Sequence, residues 1–178
     1  VFVSVVGPSG SGKDSLLDHA RARLEGEGVV FARRVITRPA GPDEDCEQAT
    51  AQRFDELEAA GAFALSWRAH GLAYGIPTET VDQVRRGAVV VGNLSRTVLD
   101  ELDERYGRAL VVRVTVTEVV RRARIAARGR EDHAALAARL ARVDPAPGRR
   151  ADLEIVNDGT LAEAGDRLVA FLRAAAGR

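Results

Sequence analysis

Gly7, Pro8, Ser9, Gly10, Ser11, Gly12, Lys13, Asp14 and Ser15 follow one another near the start of the chain. Glycines at 7, 10 and 12 let the backbone curl until successive N–H groups converge on one centre, and such a nest attracts anions. The apolar run Val-Phe-Val-Ser-Val-Val precedes it, and a helical pattern through Leu16, Leu17 and Leu24 follows. The loop therefore opens a helix, whose N-terminal dipole adds to the attraction. Lys13 supplies a compact ammonium for the β- and γ-phosphates of a nucleoside triphosphate. The expected ligands of that nucleotide, ATP, are Gly7, Ser9, Gly10, Ser11, Gly12, Lys13, Asp14 and Ser15.

Lysine occurs once among 26 basic residues, at position 13. A chain otherwise wholly committed to arginine keeps its one lysine inside the glycine loop. Chance would explain that; so would a site that needs a point charge and not a planar fork. The residue after the lysine is unusual as well. Loops of this kind place Ser or Thr there, with a hydroxyl for Mg²⁺. Here Asp14 stands there, followed by Ser15, and the strand expected near 88–91 runs on into Gly92 and Asn93 without a carboxylate. We expect Asp14 and Ser15 to hold Mg²⁺. The alternative is a helix-start residue favoured by the macrodipole.

Arg121, Arg124 and Arg128 recur at i, i+3 and i+7, with Gly129 behind them, and Arg139 and Arg142 begin another stripe. A solvated charged face is the ordinary reading. In a phosphoryl-transfer protein the same arginines would form a lid, hinged at Gly129, that neutralises the transferring group and excludes water. His19, His70 and His133 show no metal-ligand spacing, and Cys46 no activating pattern. Trp67 reads as core.

These groups need a scaffold. Strands are expected at 1–6, 29–36, 88–91, 109–116 and 153–156. Helices are expected at 14–24, through Val98, Leu99 and Leu102, and at 118–127, 134–143 and 161–175. That alternation predicts an α/β fold, a P-loop kinase core of about five parallel strands with helices on both faces. The stretch 37–86 breaks the rhythm. It opens on a polar loop, then offers a short helix near 54–60, strand-like pieces near 63–67 and 72–76, and another helix. It reads as a small acceptor-binding insertion at the carboxyl edge of the sheet, where such sheets bind ligands. The expected organisation is a single domain over 1–178, with the insertion at 37–86 and an arginine-rich lid at about 121–142. A formal net charge of zero argues against nucleic-acid or membrane partners. One cysteine forms no internal disulfide, which favours the cytoplasm. Methionine is absent, so residues before Val1 are expected to be missing.

The loop Gly7–Lys13, the corner Thr37-Arg38-Pro39, the turn Gly71-Leu72-Ala73-Tyr74-Gly75, the flap Arg124…Arg128-Gly129 and the late Val156-Asn157-Asp158 together resemble the guanylate kinase-like group of nucleoside monophosphate kinases, over nearly the whole chain. Within that group the chain resembles the ribose 1,5-bisphosphate phosphokinase family. The resemblance lies in Lys13-Asp14-Ser15, the Ile36-Thr37-Arg38 corner, Ala64-Leu65-Ser66-Trp67, the Ser95-Arg96 pair, Arg128-Gly129-Arg130-Glu131 and Asn157-Asp158-Gly159. It implies an enzyme that uses ATP and Mg²⁺ to convert ribose 1,5-bisphosphate to 5-phosphoribosyl 1-diphosphate in phosphonate breakdown. Its partner would be a small sugar phosphate. Carried over by position, Gly10 to Ser15 hold the ATP phosphates, and Lys13, Arg124, Arg128 and Arg139 act on the transferring group. Asn157 lies at the adenine edge. Arg38, Tyr74, Asn93 and Arg96 serve the acceptor, and the acidic run 43–45 offers Glu44 to the ribose hydroxyls. Departures from guanylate kinase are informative. Ala40 and Gly41 replace a second corner arginine, Asn93 replaces the acidic strand end, and Leu65 and Ser66 fall where the guanine-reading glutamate belongs. A nucleoside monophosphate kinase and a non-catalytic guanylate kinase-like module are the competing readings.

Overall fold

The structure, a computed structural model, describes residues 1–38, 45–69, 71–127 and 149–177, with the backbone alone for 125–127. The first strand, β1 (Phe2–Val6), is buried at every position because parallel neighbours and packed layers enclose it. With β2 (Val29–Phe31), β7 (Val89–Asn93), β8 (Ala109–Thr115) and β9 (Leu153–Val156) it forms an all-parallel sheet of order β2-β7-β1-β8-β9. Strand alternation divides the core between the faces. Val3, Val5, Val91, Val112 and Ile155 pack under α1 (Lys13–Arg23) and α6 (Leu161–Ala175). Phe2, Val90 and Val111 face the other way, toward a 3₁₀ turn (Arg96–Glu101) and α4 (Leu102–Tyr106). The last helix starts where the sequence signals it: Thr160 and Glu163 form a reciprocal capping box.

The insertion makes its own sheet, order β4-β3-β6-β5, from β3 (Arg34–Ile36), β4 (Cys46–Gln48), β5 (Phe63–Ala69) and β6 (Leu72–Pro77). Helices α2 (Ala51–Ala59) and α3 (Glu79–Arg85) complete it. Leu65, Trp67 and Ile76 share a cluster with Phe2 and Val90, so the small sheet packs on the large one. Thr80 and Tyr106 link α3 to α4 through hydroxyls 2.9 Å apart, and burial pushes the Tyr106 phenol up to about 12.

Three expectations change. The strand expected at 29–36 is two strands in two sheets. The Ala32 N–H still donates to Val91 of the large sheet (2.7 Å), yet Arg34 already pairs with Cys46 of the small one. Hydrophobic alternation carries no record of which sheet a residue joins, so the insertion begins structurally at 34 and not 37. Cys46–Gln48, read as loop, is a strand; three residues with one apolar side chain are too few for a pattern. The helix through Val98, Leu99 and Leu102 is a 3₁₀ turn running into α4. The helix expected at 134–143 and most of the lid expected at 121–142 lie outside the described residues. Among the described residues no helix is long and apolar enough to cross a membrane.

Candidate active site

Gly10 and Gly12 hold φ values of 83° and 87°, a region that side-chain-bearing residues rarely adopt. Space is as tight as conformation. A Cβ on Gly7 would stand 2.2 Å from the Val114 carbonyl oxygen, and one on Gly12 would stand 2.5 Å from Asn157 Nδ2. That second contact reveals what shapes the loop. Asn157, 4% exposed, lies beneath it and donates from Nδ2 to the Ser11 carbonyl (2.8 Å). The residue expected at the adenine edge thus braces the loop from below. From the other side Arg121 Nε donates to the Ser9 carbonyl (2.9 Å), tying α5 (Glu118–Ala127) to the same loop. Lys13 Nζ donates to the carbonyls of Gly7 (2.8 Å) and Pro8 (3.1 Å), which holds the ammonium at the loop mouth.

Two buried polar atoms there have no hydrogen-bond partner among the described residues: Ser11 Oγ and Arg124 Nη1. Arg124 Nη1 lies 3.6 Å from the position a Gly12 Cβ would take, so it lies against the loop. Orphaned buried donors are costly. A triphosphate supplies acceptor oxygens, so both atoms fit an anionic ligand. Arg121 joins this rim. Burial, then the neighbouring charge of Arg96, lower its pKa, so the loop is overlooked by crowded cations. The i, i+3 step from Arg121 to Arg124 was the sequence signal for Arg121, although it was not among the expected site residues.

Asp14 opens α1 beside the loop. Its Oδ1 accepts a 2.6 Å hydrogen bond from Asn93 Nδ2, at the end of β7. The carboxylate and the amide expected to be exchanged between helix start and strand end therefore touch. Arg34 completes the cluster, with Nη2 3.6 Å from Asp14 Oδ1 and Nη1 3.5 Å from the Asn93 carbonyl. Ser15 is exposed, about 100° further round the helix. Among the described residues no three of His, Cys, Asp and Glu gather as a metal site. A nucleotide-bound divalent ion asks for less, one or two carboxylates plus phosphate oxygens. Asp14 fits that donor set.

On the small sheet, Thr37 sets the corner. Its N–H donates to the Ala73 carbonyl (3.1 Å), and its Oγ1 accepts from the Ala73 N–H (2.8 Å). Arg38, partly buried, follows directly. Ile36 pairs with Tyr74 and Trp67 with Tyr74, so the three side chains share one face of the small sheet. The rings of Trp67 and Tyr74 stack at 5.3 Å, nearly parallel. Trp67 is buried core, as expected, and also backs the tyrosine. Leu65 lies on that face at 2% exposure, while Ser66 points the opposite way and donates to Glu58 on α2 (2.5 Å). Glu44, Arg128 and Arg139, together with His70 and His133, lie outside the described residues. His19 pairs with Asp166 (2.8 Å) between α1 and α6.

A protein of Pseudofrankia inefficax named ribose 1,5-bisphosphate phosphokinase PhnN is 54% identical over 176 residues, which cover 99% of this chain and 92% of that one. The chain belongs to the ribose 1,5-bisphosphate phosphokinase family. A Methylobacterium radiotolerans protein of the same name is 50% identical over 174 residues, 97% of each chain. No protein-family model matches. The crystal structure of guanylate kinase from Anaplasma phagocytophilum superposes with a TM-score of 0.70 at 21% identity, covering all of this chain and 87% of that one. The fold of this phosphokinase family member is thus that of a guanylate kinase-like P-loop kinase: an all-parallel five-stranded sheet flanked by helices. Lys13, Arg121 and Arg124 stand against its glycine loop, an arrangement that suits a bound anion.

Proposed function

We propose that this chain transfers the γ-phosphoryl group of ATP to ribose 1,5-bisphosphate, with Mg²⁺ on the nucleotide, and forms 5-phosphoribosyl 1-diphosphate in the cytoplasm as a step of phosphonate breakdown. The observation that carries the acceptor is β5: Leu65, where base recognition would ask for a carboxylate, is packed in the core with Trp67, and Ser66 beside it is turned away to Glu58 on α2. A base-reading site stripped of its hydrogen bonds loses on the order of 10⁴-fold in discrimination. Phosphate-holding groups persist on both walls. Family membership supports the same substrate.

The acceptor phosphate needs no general base, because with a second pKa of about 6 it is already a dianion near neutrality. Its oxygen attacks the γ-phosphorus as the bond to the β–γ bridging oxygen breaks, and ADP leaves with that electron pair. Lys13 and Arg124 neutralise charge on the transferring group, Arg128 and Arg139 are assigned the same task, and Asp14 would hold Mg²⁺, which would neutralise further phosphate charge. The nest Gly7–Ser15 positions the nucleotide, while Arg38, Tyr74, Asn93 and Arg96 position the acceptor. The test compares kcat/KM for ribose 1,5-bisphosphate and GMP with ATP and Mg²⁺. The bisphosphate should be preferred by orders of magnitude; a preference for GMP overturns the assignment.

A further inference from the structure

We infer that Arg34 is a further acceptor-binding residue, the guanidinium that grips the reacting phosphate of the sugar bisphosphate beside the nucleotide. The inference rests on the proposed function. Strand alternation places the side chain first. Val35 packs into the small core under α2 with Phe54 and Ala73. Arg34 and Ile36 therefore face the other way, onto the face that carries Tyr74 and Trp67. Arg34 thus belongs to the acceptor wall. Yet its guanidinium reaches the nucleotide wall, within 3.5–3.6 Å of the Asn93 carbonyl and Asp14 Oδ1. Of the groups assigned to the acceptor from the small sheet, this one contacts the start of α1, where the phosphates of ATP would end.

Its present contacts are loose. Asp14 Oδ1 takes its short bond, 2.6 Å, from Asn93, and both arginine contacts sit at the edge of hydrogen-bond range. Two neighbouring cations are better matched. Arg21 is 3.0 Å from Asp45 and 3.6 Å from Asp18, and Arg33 is 3.1 Å from Asp45. That outer set closes on itself, whereas Arg34 shares one carboxylate with an amide. Its side chain is only 17% exposed, with Phe31 and Val91 lining the same cleft. A shielded guanidinium with five fork-shaped donors matches a phosphate dianion better than a distant carboxylate oxygen. The acceptor carries two phosphates. Arg38 and Tyr74 suit the one remote from the nucleotide, and Arg34 suits the one that attacks.

The test measures binding of ribose 1,5-bisphosphate by calorimetry, and steady-state rates, for wild type, Arg34→Ala, Arg34→Lys and Asp14→Asn. Arg34→Ala should weaken acceptor binding and raise acceptor KM by about 10- to 100-fold, the loss of charge-assisted hydrogen bonds, while ATP affinity stays within about twofold. Arg34→Lys should recover part of that loss, since it restores charge without the fork. Asp14→Asn, read as acceptor binding without metal or nucleotide, should leave affinity unchanged or improve it, because the competing carboxylate is gone. If Arg34 only positions Asp14, both alanine and asparagine variants shift the Mg²⁺ requirement and neither changes acceptor affinity; that result overturns the inference. A wild type that binds and phosphorylates GMP but not the bisphosphate overturns the functional reading, whatever the variants do.

Discussion

The two walls of the cleft hold their polar groups by different means. On the nucleotide wall one contiguous run, Gly7 to Ser15, supplies almost everything, and backbone geometry holds it: positive φ at Gly10 and Gly12, no room for a Cβ at Gly7, and Asn157 gripping the Ser11 carbonyl. On the proposed acceptor wall Arg34, Ile36, Trp67 and Tyr74 come from three strands, brought to one face by strand pairing and ring stacking, and Arg38 follows at the corner after β3. A wall made of backbone tolerates little change. A wall made of side chains keeps its fold when a side chain is exchanged, and on the proposed function Leu65 in place of a base-reading carboxylate is such an exchange. On the proposed function nucleotide use and acceptor choice are then separable, and substitutions should sort by wall.

Lys13→Ala should produce the largest effect, a loss of about 10²–10³-fold in kcat, by analogy with removing one preorganised charge stabiliser. Lys13→Arg should fail comparably, since a fork-shaped guanidinium does not fit where one ammonium sits against the carbonyls of Gly7 and Pro8. Near-normal turnover in the arginine variant, measured with saturating ATP, would contradict a need for a compact charge. Arg124→Ala comes next, at roughly tenfold or more in kcat and less in ATP affinity, because its charge meets the phosphoryl group most fully in the transition state. Equal losses in turnover and nucleotide binding would make it a ground-state contact instead.

Asp14→Ser restores the commoner loop sequence and should raise the Mg²⁺ concentration for half-maximal rate several-fold, as a hydroxyl is a weaker ligand than a carboxylate. An unchanged Mg²⁺ titration would leave Asp14 as a helix-start residue bonded to Asn93. The smallest change belongs to the other wall. Tyr74→Phe keeps the ring on Trp67 and removes one hydroxyl, so acceptor KM should rise about three- to tenfold, one hydrogen bond's worth, with ATP KM unmoved. A parallel rise in ATP KM would break the distinction between the walls.

The sequence alone determined the glycine loop and the helix it opens, because their geometry is local. Glycine spacing, the single lysine, the strand before and the helix after lie within adjacent residues, and the closing helix at Leu161–Ala175 appeared at its expected bounds. The five parallel strands were legible for the same reason, as buried apolar runs bounded by polar loops. Tertiary structure decided the rest. Only strand pairing could divide 29–36 between two sheets, add Cys46–Gln48 as a strand, and turn Arg34 toward Asp14, 20 residues earlier in the chain. Only packing could place Asn157 under Ser11 across 146 positions and bring Asn93 to Asp14 across 79. Periodicity reports which side of an element is buried; it carries nothing about which distant element buries it, and hydrogen bonds between remote side chains leave no period in the chain.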